Sequence, residues 1–153
     1  MTTQLDIDHL HSVIEQIRDP IKKELIPRQF GMTTAYLYLM LDEVLGGDCH
    51  NNYLYICSDC GVQESKRVAQ EFVDMLYYDN IERIKVLMTK TPQVQTKSGQ
   101  SFRFVDIQSV MNEDFWHGTH YDRVFVDIGQ DWLQSPHKEA LEFEIKCRGG
   151  DWV

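Results

Sequence analysis

No apolar run in this chain approaches the roughly 18 residues needed to cross a bilayer. Its first residues, MTTQLDIDHLHSV, lack the basic-then-apolar order of a secretion signal. Both lacks point to a soluble, intracellular, cytoplasmic protein with no membrane association. Positive charge is scarce too: 15 Lys and Arg stand against 24 Asp and Glu, a formal charge of −9. A field of that sign opposes nucleic acid and anionic membranes, while leaving room for a local basic groove. The acids are scattered instead of clustered, which weakens a DNA-mimicking role. No linker, repeat or low-complexity tract divides the chain, so residues 1–153 read as one domain. Cysteines number only four, Cys49, Cys57, Cys60 and Cys147. Without a secretion signal they read as reduced thiols.

What is present suits a globular domain. The hydrophobic share is 42%, enough for a core without disulfide staples. Leu10, Val13, Ile14 and Ile17 recur at helical spacing within Leu5 to Ile17, with Asp6 or Asp8 as its cap. Ile21 to Ile26 is expected as a short strand. Thr33 to Leu45 is expected as a helix, apolar on most faces and stopped by Gly46 and Gly47.

Asn52 to Ser58 reads as a buried strand and Val62 to Tyr77 as an amphipathic helix. Ile84 to Lys90 reads as a strand. Gln93 to Ile107 reads as a hairpin about Ser98 and Gly99. Asp122 to Ile128 is a short apolar run typical of a central strand. His137 to Ile145 fits helix or strand, and the alternation of LEFEIK favours strand for its second half. Strands alternating with helices predict an α/β fold: a mostly parallel central sheet flanked by helices, with one β-hairpin. Ligands collect at the carboxyl ends of strands in such sheets.

One loop-to-helix stretch, PRQFGMTTAYLYLML from Pro27 to Leu41, looks like a phosphate-binding loop. The G-x-x-x-x-G-K-[ST] pattern aligns Gly31 with its second glycine and Thr33 with its hydroxyl residue. Ile26 stands at the first glycine and Met32 at the lysine. A helix amino end still offers free N–H groups and about half a positive charge, and the Thr33 hydroxyl suits a magnesium ion. A missing lysine removes charge-assisted bonds of roughly 1.5–3 kcal/mol, or one to two orders of magnitude in affinity. Arg28 lies in the loop and is the candidate substitute, with Lys22 and Lys23 expected to fall short. The bland alternative is a Thr-capped helix start with a buried apolar face.

A second stretch, FWHGTHYDRVFVDIGQDW, places Asp127 at the end of an apolar strand. Together with PRQFGMTTAYLYLML and the hairpin QVQTKSGQSFRFVDIQS, it resembles the large-subunit terminase ATPases of tailed phages. The motifs matched are their R-Q-x-G-K-T-T loop, polar hairpin and D-x-V-x-x-D-E-A segment. The similarity runs from about Leu10 to Trp132. It implies a P-loop NTPase-like fold of the RecA and helicase type, and a phage-encoded protein in the host cytoplasm.

Carried over residue by residue, Gly31, Thr33 and Asp127 match a nucleotide–magnesium site. Thr34 falls in the same loop, and Arg28 matches a loop arginine that assists catalysis. The departures are Met32 for lysine and Ile128 for the glutamate after the aspartate. Little room follows Trp132 for the family's later ATPase strands, and its nuclease domain has no counterpart. The resemblance thus implies a degenerate site, with weak ATP–magnesium binding and little or no hydrolysis, in a protein-binding or regulatory module. The alternatives are a working nucleotide-binding NTPase that borrows its cation, and a zinc or redox protein.

That last alternative rests on CSDC, Cys57 to Cys60, with Cys49 and His50 upstream as further zinc ligands. No second C-x-x-C exists, and the redox motif's usual companions are missing. Ordinary buried or capping cysteines are the favoured reading, zinc the next and redox the last. His117 and His120 read as a solvated loop before a metal pair. The aromatic runs YLYLM and MLYY read as core before a base-stacking platform. Trp132 and Trp152, where exposed, would suit a protein interface.

Overall fold

The computed structural model describes residues 7–23, 25–26, 31–46, 52–57, 62–81, 83–111, 115, 120–127 and 138–153. Helix α1 (Ile7–Arg18) buries Val13 and Ile17, with Leu10 and Ile14 packed beside them. This is the 3.6-residue stripe expected of an amphipathic helix. Asp8 in its first turn and Arg18 in its last suit the helix dipole.

The strand expected over Ile21–Ile26 is not formed. Residues Pro20–Lys23 make a single helical turn, α2. Proline at the first helical position presets φ and gives up an N–H that would be unpaired there anyway. Lys23 N–H then bonds the Asp19 carbonyl at 2.8 Å.

Helix α3 (Met32–Gly46) buries Met32, Ala35, Tyr36, Leu37, Met40 and Leu41. Strand β1 (Asn52–Cys57) follows, buried over all but its first residue. Helix α4 (Val62–Tyr78) covers the sheet with Val68, Ala69, Phe72, Val73 and Leu76. Asn80 ends it at φ 63°. Ile81 N–H reaches the Leu76 carbonyl at 2.8 Å and Asn80 N–H the Tyr77 carbonyl at 3.0 Å. These bonds form a Schellman closure with asparagine in the left-handed position.

Strands β2 (Ile84–Leu87), β3 (Gln93–Thr96) and β4 (Ser101–Asp106) are antiparallel neighbours. The β3–β4 hairpin turns at Gly99, φ 95°, where a residue without Cβ suits the backbone. Gln100 is buried at its foot and donates Nε2–H to the Glu43 carbonyl at 2.9 Å. It thereby satisfies a carbonyl near the end of α3 that has no partner within the helix. Helix α5 (Ile107–Val110) is one turn, capped by the Asp106 carboxylate. Strand β5 (Tyr121–Asp127) and helix α6 (Lys138–Arg148) complete the sandwich.

Alternating LEFEIK thus belongs wholly to a helix, against the expectation of strand. Leu141 and Ile145, four apart, are buried, while Phe143 between them is 65% exposed. The burial has helical period, and the alternation is incidental to it. Strand β6 (Gly149–Trp152) was not expected at all. It pairs with β5, Tyr121 opposite Gly149 and Val124 opposite Trp152.

The six strands form one mixed sheet in the order β2-β3-β4-β1-β5-β6. Strands β4, β1, β5 and β6 run parallel, and β2 and β3 add an antiparallel edge. On one face, Tyr53, Tyr55, Phe102, Phe104 and Phe125 pack under α1, α3 and α4. On the other, Leu54, Ile56, Val105, Val124 and Val126 pack with Ile107 and Val110 of α5 and Leu141 and Ile145 of α6. Burial on both faces explains strands that read as continuous apolar runs. Stacking of Tyr53 on Phe102, centroids 4.4 Å apart, knits β1 to β4.

Charge is distributed unevenly over this frame. From Arg83 to Val105 the chain carries Arg83, Lys85, Lys90, Lys97 and Arg103 but no Asp or Glu. The antiparallel ribbon is therefore cationic on a molecule whose net charge is −9.

Candidate functional site

The carboxyl ends of three adjacent parallel strands meet at one level. Cys57 of β1 lies in register with Asp106 of β4 and with Asp127 of β5. Register partners on parallel strands point to the same side, here the side covered by α3 and α4.

Helix α3 starts directly over this level. Gly31 precedes it at φ 90°, a conformation that suits a residue without Cβ. The Gly31 carbonyl accepts the first helical bond, from Ala35 N–H at 3.0 Å. The N–H groups of the first turn therefore point out of the helix end, as phosphate-binding loops require. Thr33 Oγ1 donates to Asp127 Oδ2 at 2.6 Å. Tyr55 OH donates to the same oxygen. Of the residues predicted as one constellation, Thr33 and Asp127 are in contact, and Gly31 lies two positions before Thr33 at the helix start. Thr34 sits in the first turn beside them, half-buried.

The Asp127 carboxyl is 6% exposed. Burial raises its pKa above the ordinary aspartate value; the Thr33 and Tyr55 bonds and the Lys23 charge oppose that rise, while Glu64 adds to it. Burial chiefly, and then the Asp127 charge, push the Tyr55 and Tyr36 phenols well up, so both are neutral donors. The Tyr36 hydroxyl lies 2.7 Å from the Val126 carbonyl oxygen and 2.9 Å from that of Val153.

Met32 is 8% exposed and belongs to the largely aromatic core under α3. Lys23, expected to fall short of the loop, is buried. Its ammonium donates to the main-chain oxygen of Val153 at 2.7 Å and lies 5.5 Å from the Tyr36 ring centroid. Lys22 is exposed. Nothing in KKE distinguishes the buried lysine from its solvated neighbour. The one-turn helix after Pro20 decides which of them turns inward.

Arg28 and Ile128 lie outside the described residues, as do Cys49, His50, Cys60, His117 and Trp132. Cys57 is 1% exposed, and burial, then the Asp127 charge, push its thiol well up. A thiol held protonated is a poor nucleophile and a poor metal ligand. Among the described residues, no three His, Cys, Asp or Glu side chains gather as a metal site. No helix among them is long and apolar enough to cross a membrane.

Asp106 went unnoticed in the sequence, yet a signal was there. The tetrapeptide FVDI occurs twice, at 104–107 and 125–128, and its aspartates end the two strands that flank β1. The two differ in use. Asp106 Oδ1 accepts from Ser109 N–H at 2.9 Å and Ser109 Oγ at 2.6 Å, capping α5. Asp127 instead faces the helix start opposite.

No family model matches the chain, and no curated protein does. Among solved structures, the large terminase of the thermophilic bacteriophage D6E superposes with a TM-score of 0.56 at 15% identity, over 94% of this chain and 37% of that one. The fold is shared with part of that large terminase. The large terminase ATPase domain of Thermus phage P74-26 gives 0.49 at 14% identity, over 84% of this chain and 57% of that domain. The chain thus spans little more than a third of the D6E terminase. Within the terminase-like frame, Thr33 and Asp127 occupy facing ends of a helix and a strand.

Proposed function

We propose that this is a terminase-like NTPase-fold protein with a degenerate nucleotide site, which hydrolyses ATP weakly or not at all and acts as a protein-binding or regulatory module. The observation that carries this reading is Met32, whose side chain lies in the core where a phosphate lysine would be needed. Phosphoryl transfer depends on neutralising charge that develops in the transition state, and an apolar side chain supplies none. Were magnesium–ATP bound, Thr33 and Asp127 would hold the metal, and the first-turn amides of α3 the phosphates. The metal would add the charge neutralisation that the protein lacks. Thr33 and Tyr55 both bond Asp127 Oδ2, and a cation would have to displace them.

The decisive measurement is ATP turnover with magnesium, on the purified chain and on Asp127→Ala. Turnover at background in both supports this reading. Robust turnover abolished by Asp127→Ala sinks it.

A second reading, a nucleotide-binding NTPase, is favoured by one observation. The left-handed Gly31 before α3 and the Thr33–Asp127 pair support it. Calorimetry with ATP and magnesium tests it: no heat at millimolar nucleotide removes it.

A further inference from the structure

We propose that the cleft between the carboxyl ends of α3 and α4 and the β3–β4 turn binds an acidic peptide segment, with an apolar side chain of the peptide against Leu45 and its carboxylates on Arg83 and Lys97. This rests on the protein-binding reading given above, and supplies it with a surface and with the chemistry of a partner.

Helix α3 runs from one end of the sheet to the other. Its first turn meets Asp127, at the carboxyl end of β5, through Thr33. Its last turn meets the start of β4, where Gln100 bonds the Glu43 carbonyl. Its 15 residues rise about 20 Å, so the cleft lies at the opposite end of the helix from the Thr33–Asp127 pair. The cleft has a volume of about 700 Å³. Val44, Leu45 and Ile81 give it an apolar wall, and Arg83 and Lys97 give it charge.

Two sides of the cleft are held in place by hydrogen bonds. Asn80, which lines it, is fixed in the left-handed position by the closure of α4. Across from it, Thr96 Oγ1 lies 3.0 Å from Ser98 Oγ and accepts from Gln100 N–H at 3.2 Å. Gln100 in turn ties this turn to α3. A surface already ordered loses little entropy when a partner settles on it.

The lining selects the partner. Leu45 is 59% exposed, and an aliphatic side chain laid against it would remove both from water. Among the described residues, no Asp or Glu lines the cleft, and neither Arg83 nor Lys97 forms an ion pair. Neither α3 nor α4 has a basic residue in its last turn, so the two cations also complement two helix ends. Each end amounts to about half a negative charge. A surplus of about one positive charge therefore remains, on a chain whose net charge is −9. Nucleic acid suits this surface less well. Among the described residues no aromatic ring lines the cleft for a base to stack on, and the overall charge opposes a long polyanion. A short acidic segment brings few charges and an aliphatic anchor.

The probe is a synthetic peptide with a central leucine pair between runs of aspartate, titrated into the ¹⁵N-labelled chain. Amide resonances of Leu45, Ile81, Lys97 and Ser98 should move. Affinity should fall about threefold to tenfold in the double variant Arg83→Gln, Lys97→Gln, and likewise in Leu45→Ser. Lys146→Gln, on α6 across the sheet, should change nothing. All four positions are exposed, so the variants keep the fold. Peptides with asparagine for aspartate, or serine for leucine, should bind more weakly, and an oligodeoxythymidylate should leave the cleft amides unmoved.

Peptide binding that moves other amides and ignores the cleft variants overturns the cleft and leaves the protein-binding module standing. No binding of the acidic peptide, or tighter binding of the oligodeoxythymidylate at the same amides, overturns the acidic-peptide partner. Robust ATP turnover would sink the degenerate-module reading without moving these resonances, so the two failures are told apart.

Discussion

Thr33 Oγ1 donates to Asp127 Oδ2 at 2.6 Å, joining the start of α3 to the end of β5 across 94 positions of sequence. Replacing Thr33 by valine keeps the shape and deletes the donor. A hydrogen bond to a charged group contributes roughly 1.5–3 kcal/mol, and Tyr55 continues to hold the same oxygen. Urea unfolding of Thr33→Val at neutral pH should therefore show a loss of about 1–2 kcal/mol. An unchanged midpoint would mean that the bond adds nothing in solution.

Asp127 gives a pH dependence of opposite sign to the usual carboxylate. Its folded pKa is raised, with burial the main cause. The folded state therefore binds a proton more readily than the unfolded chain. This group costs stability as pH rises through its folded pKa, and the cost disappears below the ordinary aspartate value. Asp127→Asn keeps an acceptor for Thr33 and Tyr55 and removes the buried charge. Thermal melts at about pH 7 should give a higher Tm for the variant, the gap closing towards about pH 4. A lower Tm throughout would show that the two hydroxyl bonds outweigh the burial cost.

Restoring the pattern's lysine should not restore chemistry. The Met32 side chain fills a closed part of the core, so Met32→Lys strips packing and buries an ammonium beside a helix amino end. Large core losses run to about 2–5 kcal/mol, and the helix dipole repels a cation there. The expected outcome is a lower denaturation midpoint and no gain in ATP turnover. A variant as stable as the parent and newly active would show that position 32 swings freely into the site.

Cysteine labelling separates structural from reactive thiols. Cys147 is exposed and Cys57 buried, with its thiol pushed up in pKa by burial and then by Asp127. Maleimide followed by peptide mass spectrometry should modify Cys147 rapidly and Cys57 only at the rate of unfolding. Fast labelling of Cys57 in the native protein would reopen a redox role.

Much of the architecture was legible because burial on two faces leaves continuous apolar runs. Strands β1 and β5 and helix α3 announce themselves by composition, and α4 by its stripe of Val68, Phe72 and Leu76. The hairpin was marked by Gly99, and Thr33 with Asp127 by the terminase resemblance. The failures have physical causes. Leu141, Phe143 and Ile145 alternate, yet the exposed Phe143 shows that the helical pair Leu141 and Ile145 sets the burial. Strand β6 begins with Gly149 and Gly150, poor strand formers, and exists because β5 offers an edge. The burial of Lys23 was not legible, because one-dimensional spacing carries no record of the turn at Pro20. A buried cation is a tertiary fact, and only the fold reveals it.

The stretch from Arg83 to Val105, which holds β2, β3 and all of β4 but its last residue, carries no acid on a chain that is elsewhere strongly anionic. Such an arrangement gives the protein a permanent electric dipole, with its positive pole on the antiparallel edge. Electrostatic torque then orients any charged body during diffusion, before contact is made. An anionic visitor is turned towards the ribbon and a cationic one away from it, and added salt shortens the reach of both effects.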